Sequence, residues 1–288
     1  MDNPEHKDMP SVFLNGEYVP AEKAMVSVDD RGYLFADGVY EVIRVYGGRP
    51  FRLDAHLDRL AHGLDDLQIE LPSIDELDDI VEKLLDDNGL RSGDAKVYLQ
   101  VTRGAAPRAH AFPKNAQPSV YVAASPLKPH PGSFFENGVA AITVTDTRWS
   151  RCDIKSIALL PNVLANQRAH ATGAFEALFV RDGIVLEGSH SNVWAVFDET
   201  LVTYPSCNYI LSGITRDEVF DIAEASGIAA GEGLIPEEHL FDADELFLSG
   251  TTTEIMPIVS VDGTSIGNGK PGPMTRRLQQ LYRERTAG

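Results

Sequence analysis

Apolar and polar positions along the chain change period in a readable order. Val12-Phe13-Leu14 and Tyr18-Val19 flank Asn15-Gly16, a pair that favours the tight turn of a hairpin. Residues 39–46 and 49–53 predict two further strands around Gly47-Gly48. Leu57, Leu60, Leu64 and Leu67 then recur at helical spacing. Ser73-Ile74-Asp75-Glu76 has the form of a capping box and predicts a second helix. That helix turns Ile74, Leu77, Val81, Leu84 and Leu85 inward and is closed by Gly89. Val97, Leu99 and Val101 alternate as a strand, as do residues 119–123. Two helices beside an antiparallel sheet predict a small α+β domain over residues 1–124.

Pro126, Pro129, Pro131 and Gly132 mark a linker over residues 125–133. Beyond it, a second domain over 134–288 is rich in strands, expected at 139–145, 156–160, 176–181, 184–187, 192–197, 201–203, 245–249 and 255–261. Asp182-Gly183 is a hairpin turn between two of them. Helices fit 162–173, 215–226 and 274–285. Thr215 is the expected cap of the middle one, with Asp217 and Glu218 in its first turn. The expected class is α+β in two domains, without internal repeats.

Composition narrows the function. Of 288 residues, 43% are hydrophobic and 24% charged, which excludes a largely disordered chain, collagen or a disulfide scaffold. No apolar run is long enough for a membrane span. The segment Met1 to Lys7 is polar and lacks the apolar core of a signal peptide. With two cysteines, Cys152 and Cys207, a reducing cytoplasm is the expected compartment. The formal net charge of −18 disfavours nucleic acid and anionic lipid as partners. Acidic residues crowd the stretch from Asp54 to Asp94, which reads as a solvated helical face.

Four places carry residue types suited to chemistry. Lys155 heads the apolar run Ile157-Ala158-Leu159-Leu160, so its amine either snorkels to water or is desolvated. A desolvated amine is the nucleophile of Schiff-base chemistry, whereas a snorkelling one is an ordinary strand-end lysine. Glu187 ends Ile184-Val185-Leu186 and precedes a turn of small polar residues. There it is either solvated or the partner of a protonated ring nitrogen. Leu211-Ser212-Gly213-Ile214-Thr215-Arg216 leads into a helix, and Ser249-Gly250-Thr251-Thr252-Thr253 follows a strand. Either is a plain turn or a phosphate site. Arg108 and His110, two apart after Arg103, would project the same way from an extended segment and converge on one anion. No glycine-rich nucleotide motif, nucleophile elbow or zinc-ligand spacing occurs. A phosphorylated cofactor therefore fits better than ATP or a dinucleotide, and no metal is expected. His170 reads as helix surface.

Taken in order, these pieces resemble the pyridoxal-phosphate enzymes of fold type IV, the class IV aminotransferase family. The strings that carry the resemblance are Asp30-Arg31-Gly32-Tyr33-Leu34-Phe35-Ala36-Asp37-Gly38-Val39-Tyr40-Glu41 and His56-Leu57-Asp58-Arg59-Leu60. They continue with Arg151 to Ser156, Glu187-Gly188-Ser189-His190-Ser191-Asn192, Gly213-Ile214-Thr215-Arg216 and Thr251-Thr252-Thr253-Glu254-Ile255. The resemblance runs from about Val12 to Tyr282. It implies a small α+β domain, a larger strand-rich domain with a barrel-like core, and pyridoxal 5'-phosphate between them. It also implies a homodimer.

By this resemblance Lys155 holds the cofactor as a Schiff base and shuttles the proton. Glu187 is the partner of the pyridine nitrogen, and Leu211 packs on the ring. Arg59, Ile214, Thr215, Thr251 and Thr252 bind the cofactor at and around its phosphate. The string Arg103-Gly104-x-x-x-Arg108-x-His110, with Tyr40, resembles the substrate-carboxylate trap of D-amino-acid transaminases, the closest branch, where the Arg and His reach in from the neighbouring subunit. The activity implied is ping-pong transfer of the amino group of a D-amino acid such as D-alanine to a 2-oxo acid such as 2-oxoglutarate. The alternatives on the same fold are aminodeoxychorismate lyase and transaminases of branched-chain L-amino acids or R-amines. A non-catalytic cofactor-binding protein is disfavoured by the presence of Lys155 and Glu187. Three positions depart from the pattern. Ala36 stands where glycine is common, Asn166 replaces a frequent lysine on what is expected to be helix surface, and His190 replaces a small hydroxyl residue.

Overall fold

A computed structural model describes residues 10–287, so the expectation for Met1 to Lys7 lies outside the described residues. The chain divides into two compact units. One is Met1–Lys128 with Ile154–Ala158; the other is Pro129–Asp153 with Leu159–Gly288.

In the first unit, β1 (Ser11–Leu14) and β2 (Glu17–Pro20) form the expected hairpin, with Asn15 and Gly16 both at positive φ. A short helix α1 (Arg31–Phe35) follows, capped by the Asp30 carboxylate on the Gly32 N–H. Then come β3 (Gly38–Tyr46) and β4 (Arg49–Pro50), α2 (Leu53–Asp66), α3 (Leu77–Asp87), β5 (Ala95–Thr102) and β6 (Ser119–Pro126). The six strands make one sheet in the order β2-β1-β6-β5-β3-β4. Strand periodicity assigns Val39, Ile43 and Val45 of β3 and Val97, Leu99 and Val101 of β5 to one face, buried on Leu60, Leu64, Val81 and Leu84. Asp54, Asp58, Asp78, Asp79, Asp86 and Asp87 lie on the outer faces of α2 and α3 and are exposed, as expected.

Local details differ from the sequence expectation. The strand 49–53 stops at Pro50 because Arg52, at φ 54°, turns the chain into α2. Ser73 makes no side-chain cap; it leads into a 3₁₀ turn at Ile74–Glu76 before α3 begins. Residues 156–160 are not a strand. Ser156 makes a single bridge to Val39, and Pro161 sets up the first turn of the next helix.

The second unit holds α4 (Gly132–Asn137), β7 (Val139–Thr145), α5 (Leu160–Ala171), β8 (Glu176–Arg181), β9 (Ile184–Gly188), β10 (Asn192–Phe197) and β11 (Thr200–Thr203). It continues with α6 (Ile214–Ala225), β12 (Ala230–Glu232), β13 (Ile235–Pro236), β14 (Glu245–Gly250), β15 (Glu254–Val261), β16 (Thr264–Ser265) and α7 (Pro273–Ala287). Its sheet runs β10-β14-β15-β7-β8-β9, and β9 pairs back to β10 through Glu187 and Asn192. That pairing closes the sheet into a barrel. The interior is packed with Leu178, Val180, Val185, Val193, Leu246, Leu248, Met256 and Ile258. Gly213, not Thr215, caps α6. A Cβ at Gly213 would run into the Asn192 amide, and Thr215 is buried inside the first turn.

Ala36 occupies a left-handed position (φ 55°, ψ 33°) at the end of α1. An L side chain there costs roughly 1–2 kcal/mol, against roughly 0.5–1 kcal/mol for the extra chain entropy of glycine. Ala36→Gly is therefore expected to raise stability by about 0.5–1 kcal/mol. Urea unfolding checks this, and a loss of stability would show that the methyl packs usefully.

Candidate functional site

Chemically equipped residues gather in two clusters, one in each unit. In the first unit, Tyr40 and Glu41 are neighbours on β3 and so project to opposite faces of the sheet. The backbone of Lys155 accepts from the Tyr40 N–H at 3.0 Å, and Ile157 N–H donates to Gly38. These bonds fix the short segment that carries Lys155 along β3. Its Nζ lies 4.3 Å from the centre of the Tyr40 ring, a cation–π arrangement. Tyr40 stacks in turn on Tyr98 at 5.9 Å.

On the opposite face, Glu41 is wholly buried. Arg59 donates to it twice from α2, through Nε at 2.7 Å and Nη2 at 2.8 Å, and His56 Nδ1 lies 2.7 Å away. Burial would raise this carboxyl, but the charge and hydrogen bonds of Arg59, the bond from His56 and the charge of Lys155 hold it at about 2. Burial pushes His56 the other way, below its ordinary value. The imidazole is therefore neutral at pH 7, with Nδ1–H donating to the carboxylate. The effect is to fix the guanidinium of Arg59 in one orientation.

The loop after β5 carries Arg108 and His110, both exposed. Arg108 lies 5.0 Å from the centre of the Phe35 ring and His110 5.7 Å from it, so both pack against one aromatic side chain. Arg103 does not join them. Its guanidinium binds Asp37 through Nε and Nη2 and the carbonyls of Leu67 and Gln68. Arg31 binds the same Asp37 and the carbonyls of Ala109 and His110. Asp37 thus anchors the loop that presents Arg108 and His110. Despite partial burial, its two arginines hold it below the ordinary carboxylate range.

In the second unit, Glu187 sits on the seam that closes the barrel. Oε1 accepts from Arg148 Nη1. Oε2 accepts from Asn192 Nδ2 at 3.2 Å and from the Leu211 N–H at 3.1 Å. Asn192 also donates to the Leu211 carbonyl at 2.8 Å, which ties Leu211 to the same corner. Burial pushes Glu187 up to about 7 even with Arg148 beside it, because Arg148 also serves Asp146 through Nε and Nη2.

Helix α6 begins nearby in the chain. No side chain caps it, while Ile214 and Thr215 at its start are buried. Free N–H groups at a helix start form an anion site. Thr251 and Thr252 are half-buried in the turn between β14 and β15. The neighbouring Thr253 Oγ1 is buried without a hydrogen-bond partner.

Arg148 and Asp146 lie outside every string that carries the resemblance, and Glu41, His56 and Asn192 stand in those strings without a role of their own. A strand-borne glutamate between Val39 and Ile43, with His56 and Arg59 three apart on a helix, was the available signal for the first group. Asn166 proves not to be plain helix surface, since its amide donates to Ser189 Oγ at 3.3 Å.

Comparisons with known proteins place these residues in context. Residues 38–261 match the family described as amino-transferase class IV. A D-alanine aminotransferase of Bacillus licheniformis is 43% identical over 269 residues, covering 93% of this chain and 94% of that protein. One of Staphylococcus epidermidis is 44% identical over 275 residues, covering 95% and 97%. Among solved structures, the branched-chain amino acid aminotransferase of Escherichia coli shares 29% identity at a TM-score of 0.89, covering 96% and 94%. The T.th. branched-chain amino acid aminotransferase, solved with pyridoxamine 5'-phosphate, gives the same four figures.

The Glu41 cluster predicts a pH dependence. A carboxyl held at about 2 contributes stability that is present above its unfolded value of about 4.3 and is lost as pH falls towards 2. Glu41→Gln is expected to flatten the fall of the unfolding midpoint between about pH 4.3 and pH 2. An unchanged slope would mean that Glu41 is not held ionised.

Proposed function

The chain belongs to the class IV amino-transferase family, and on that premise we propose that it moves the amino group of a D-amino acid, such as D-alanine, to a 2-oxo acid, such as 2-oxoglutarate, with pyridoxal 5'-phosphate as its cofactor. The observation that carries this reading is 43–44% identity to D-alanine aminotransferases over nearly the whole chain, against 29% to the branched-chain structures.

The residues present suit that cofactor. A buried carboxylate whose arginine is shared with Asp146 suits a pyridinium N–H. The uncapped, buried start of α6 suits a phosphate, and an amine held over an aromatic ring suits a covalent anchor. When bound, the cofactor supplies an aldehyde carbon for the amine and a ring that accepts electron density from the substrate Cα.

In this reading Lys155 Nζ holds the cofactor and, once displaced by substrate, takes the proton from Cα and returns it at C4'. Glu187 keeps the ring nitrogen protonated, while Arg148, Asn192 and the Leu211 N–H keep the carboxylate in place. Arg59, oriented by Glu41 and His56, binds the phosphate together with Ile214, Thr215, Thr251 and Thr252. Leu211, tied to Glu187 and Asn192 by its backbone, would pack on the ring. Tyr40, Arg108 and His110 bind the substrate carboxylate, the last two contributed by a second copy of the chain.

A homodimer follows from that last assignment. Met25, Val26 and Val28 of one loop and Tyr33 of the following helix α1 support it, because these apolar side chains are 54–79% exposed. The cytoplasm is the proposed compartment. Both cysteines are free thiols, and among the described residues no helix is long and apolar enough to cross a membrane.

Lys155→Ala is expected to abolish transamination, and near-normal turnover in that variant would remove the assignment. Arg108→Ala is expected to raise KM for D-alanine at least tenfold while leaving an amine that lacks a carboxylate almost unaffected (roughly 1.4 kcal/mol of differential binding or more). Equal effects on both substrates would remove the carboxylate trap. Sedimentation is expected to give twice the chain mass of 31.4 kDa, with dissociation on Val28→Glu; a monomer with full activity would contradict the shared site.

A further inference from the structure

The turn between Glu187 and Asn192 rests on a third buried carboxylate, which the proposed reaction leaves unused. Glu176 opens β8 and has no exposed surface. Its Oε1 accepts from the N–H of Ala177 at 2.9 Å, the N–H of Ser189 at 3.1 Å and the hydroxyl of Ser189 at 2.5 Å. Its Oε2 accepts from the hydroxyl of Ser191 at 2.7 Å and lies 3.0 Å from Nδ1 of His190. Every side chain of Ser189-His190-Ser191 is therefore held by one carboxylate. There is no slack at the start of the turn, because a Cβ at Gly188 would collide with Ser191 Oγ and Glu176. From α5, Asn162 donates to the Ser189 carbonyl at 2.9 Å and Asn166 to its hydroxyl. The ends of this stapled turn are Glu187 and Asn192, which are bonded to each other.

Of the five donors to Glu176, only His190 has an ionisable side chain. The serines and the backbone are neutral at every pH, whereas His190, 43% exposed, exchanges its proton with water. Among the described residues, Glu176 meets it directly and His130 lies across the Phe175 ring. Phe175 lies 6.2 Å from His190 and 5.2 Å from His130. Burial works against the Glu176 carboxylate, and His190 is the largest influence that holds it below the ordinary range.

We propose that His190 is a positioning residue. Its imidazolium, paired with Glu176, fixes the Ser189–Ser191 turn and so sets how firmly Glu187, held by Asn192, grips the pyridine end of the cofactor. Loss of the proton leaves Glu176 buried among neutral donors alone. The turn then loosens, and the cofactor is held less tightly. The inference rests on the reading that Glu187 meets the pyridine nitrogen.

The test uses the protein loaded with pyridoxal 5'-phosphate, with His190→Ser and Glu176→Gln beside the parent. The readouts are the position of the visible absorption band and the rate of cofactor loss into a trapping apoenzyme, from pH 5 to 9. The parent is expected to lose cofactor on the order of three- to tenfold faster above the His190 titration than below it, a coupling of up to one pKa unit. His190→Ser, at a half-exposed position where folding is not at stake, is expected to abolish that step and show the faster rate throughout. Glu176→Gln is expected to shift the step to lower pH. If His190→Ser keeps the parent's pH profile, the positioning role is wrong while the cofactor assignment stands. If the parent takes up no pyridoxal 5'-phosphate, both fall.

Discussion

Ionised carboxylates removed from water have to be met by donors and cations, and the candidate site is organised around that demand. The barrel of the second unit closes where β9 meets β10, and the pair that closes it is Glu187 and Asn192. The same two residues share a hydrogen bond, and Asn192 and the Leu211 backbone complete the corner. Closing the barrel and placing Glu187 are therefore one structural event. A change that opened the seam would also displace the carboxylate.

Glu41 and Glu187, one in each unit, are shifted in opposite directions, and their partners explain why. Glu41 has Arg59 on both oxygens and His56 in addition, and is held at about 2. Glu187 has Arg148 on one oxygen only, and Asp146 takes much of that guanidinium, so burial prevails and the group lies near 7. The first arrangement makes a permanent anion that orients an arginine. The second makes a carboxyl whose charge responds to what is placed against it. On the proposed reading a pyridinium placed against Glu187 would return it to the carboxylate form.

Much of the fold was legible because it is written in periodicity. The alternation of Val97, Leu99 and Val101 and the helical spacing of Leu57, Leu60 and Leu64 are consequences of burying one face of each element. Lys155 and Glu187 were legible as charged residues next to apolar runs, and the family strings ranked them. What escaped the sequence depends on tertiary pairing. Arg103 looks like a free cation until Asp37 folds beneath it. Thr215 looks like a cap until Gly213 is seen pressed against Asn192. Arg148 lies 39 positions from the carboxylate it serves, a separation no local motif encodes.

The most direct test of the whole account is the visible absorption of the purified protein loaded with pyridoxal 5'-phosphate, followed on adding D-alanine and, separately, L-leucine. A yellow band is expected that D-alanine bleaches rapidly and L-leucine bleaches slowly or not at all. Bleaching by L-leucine with no response to D-alanine would contradict the substrate assignment. A protein that stays colourless with the cofactor would contradict the assignment of Lys155.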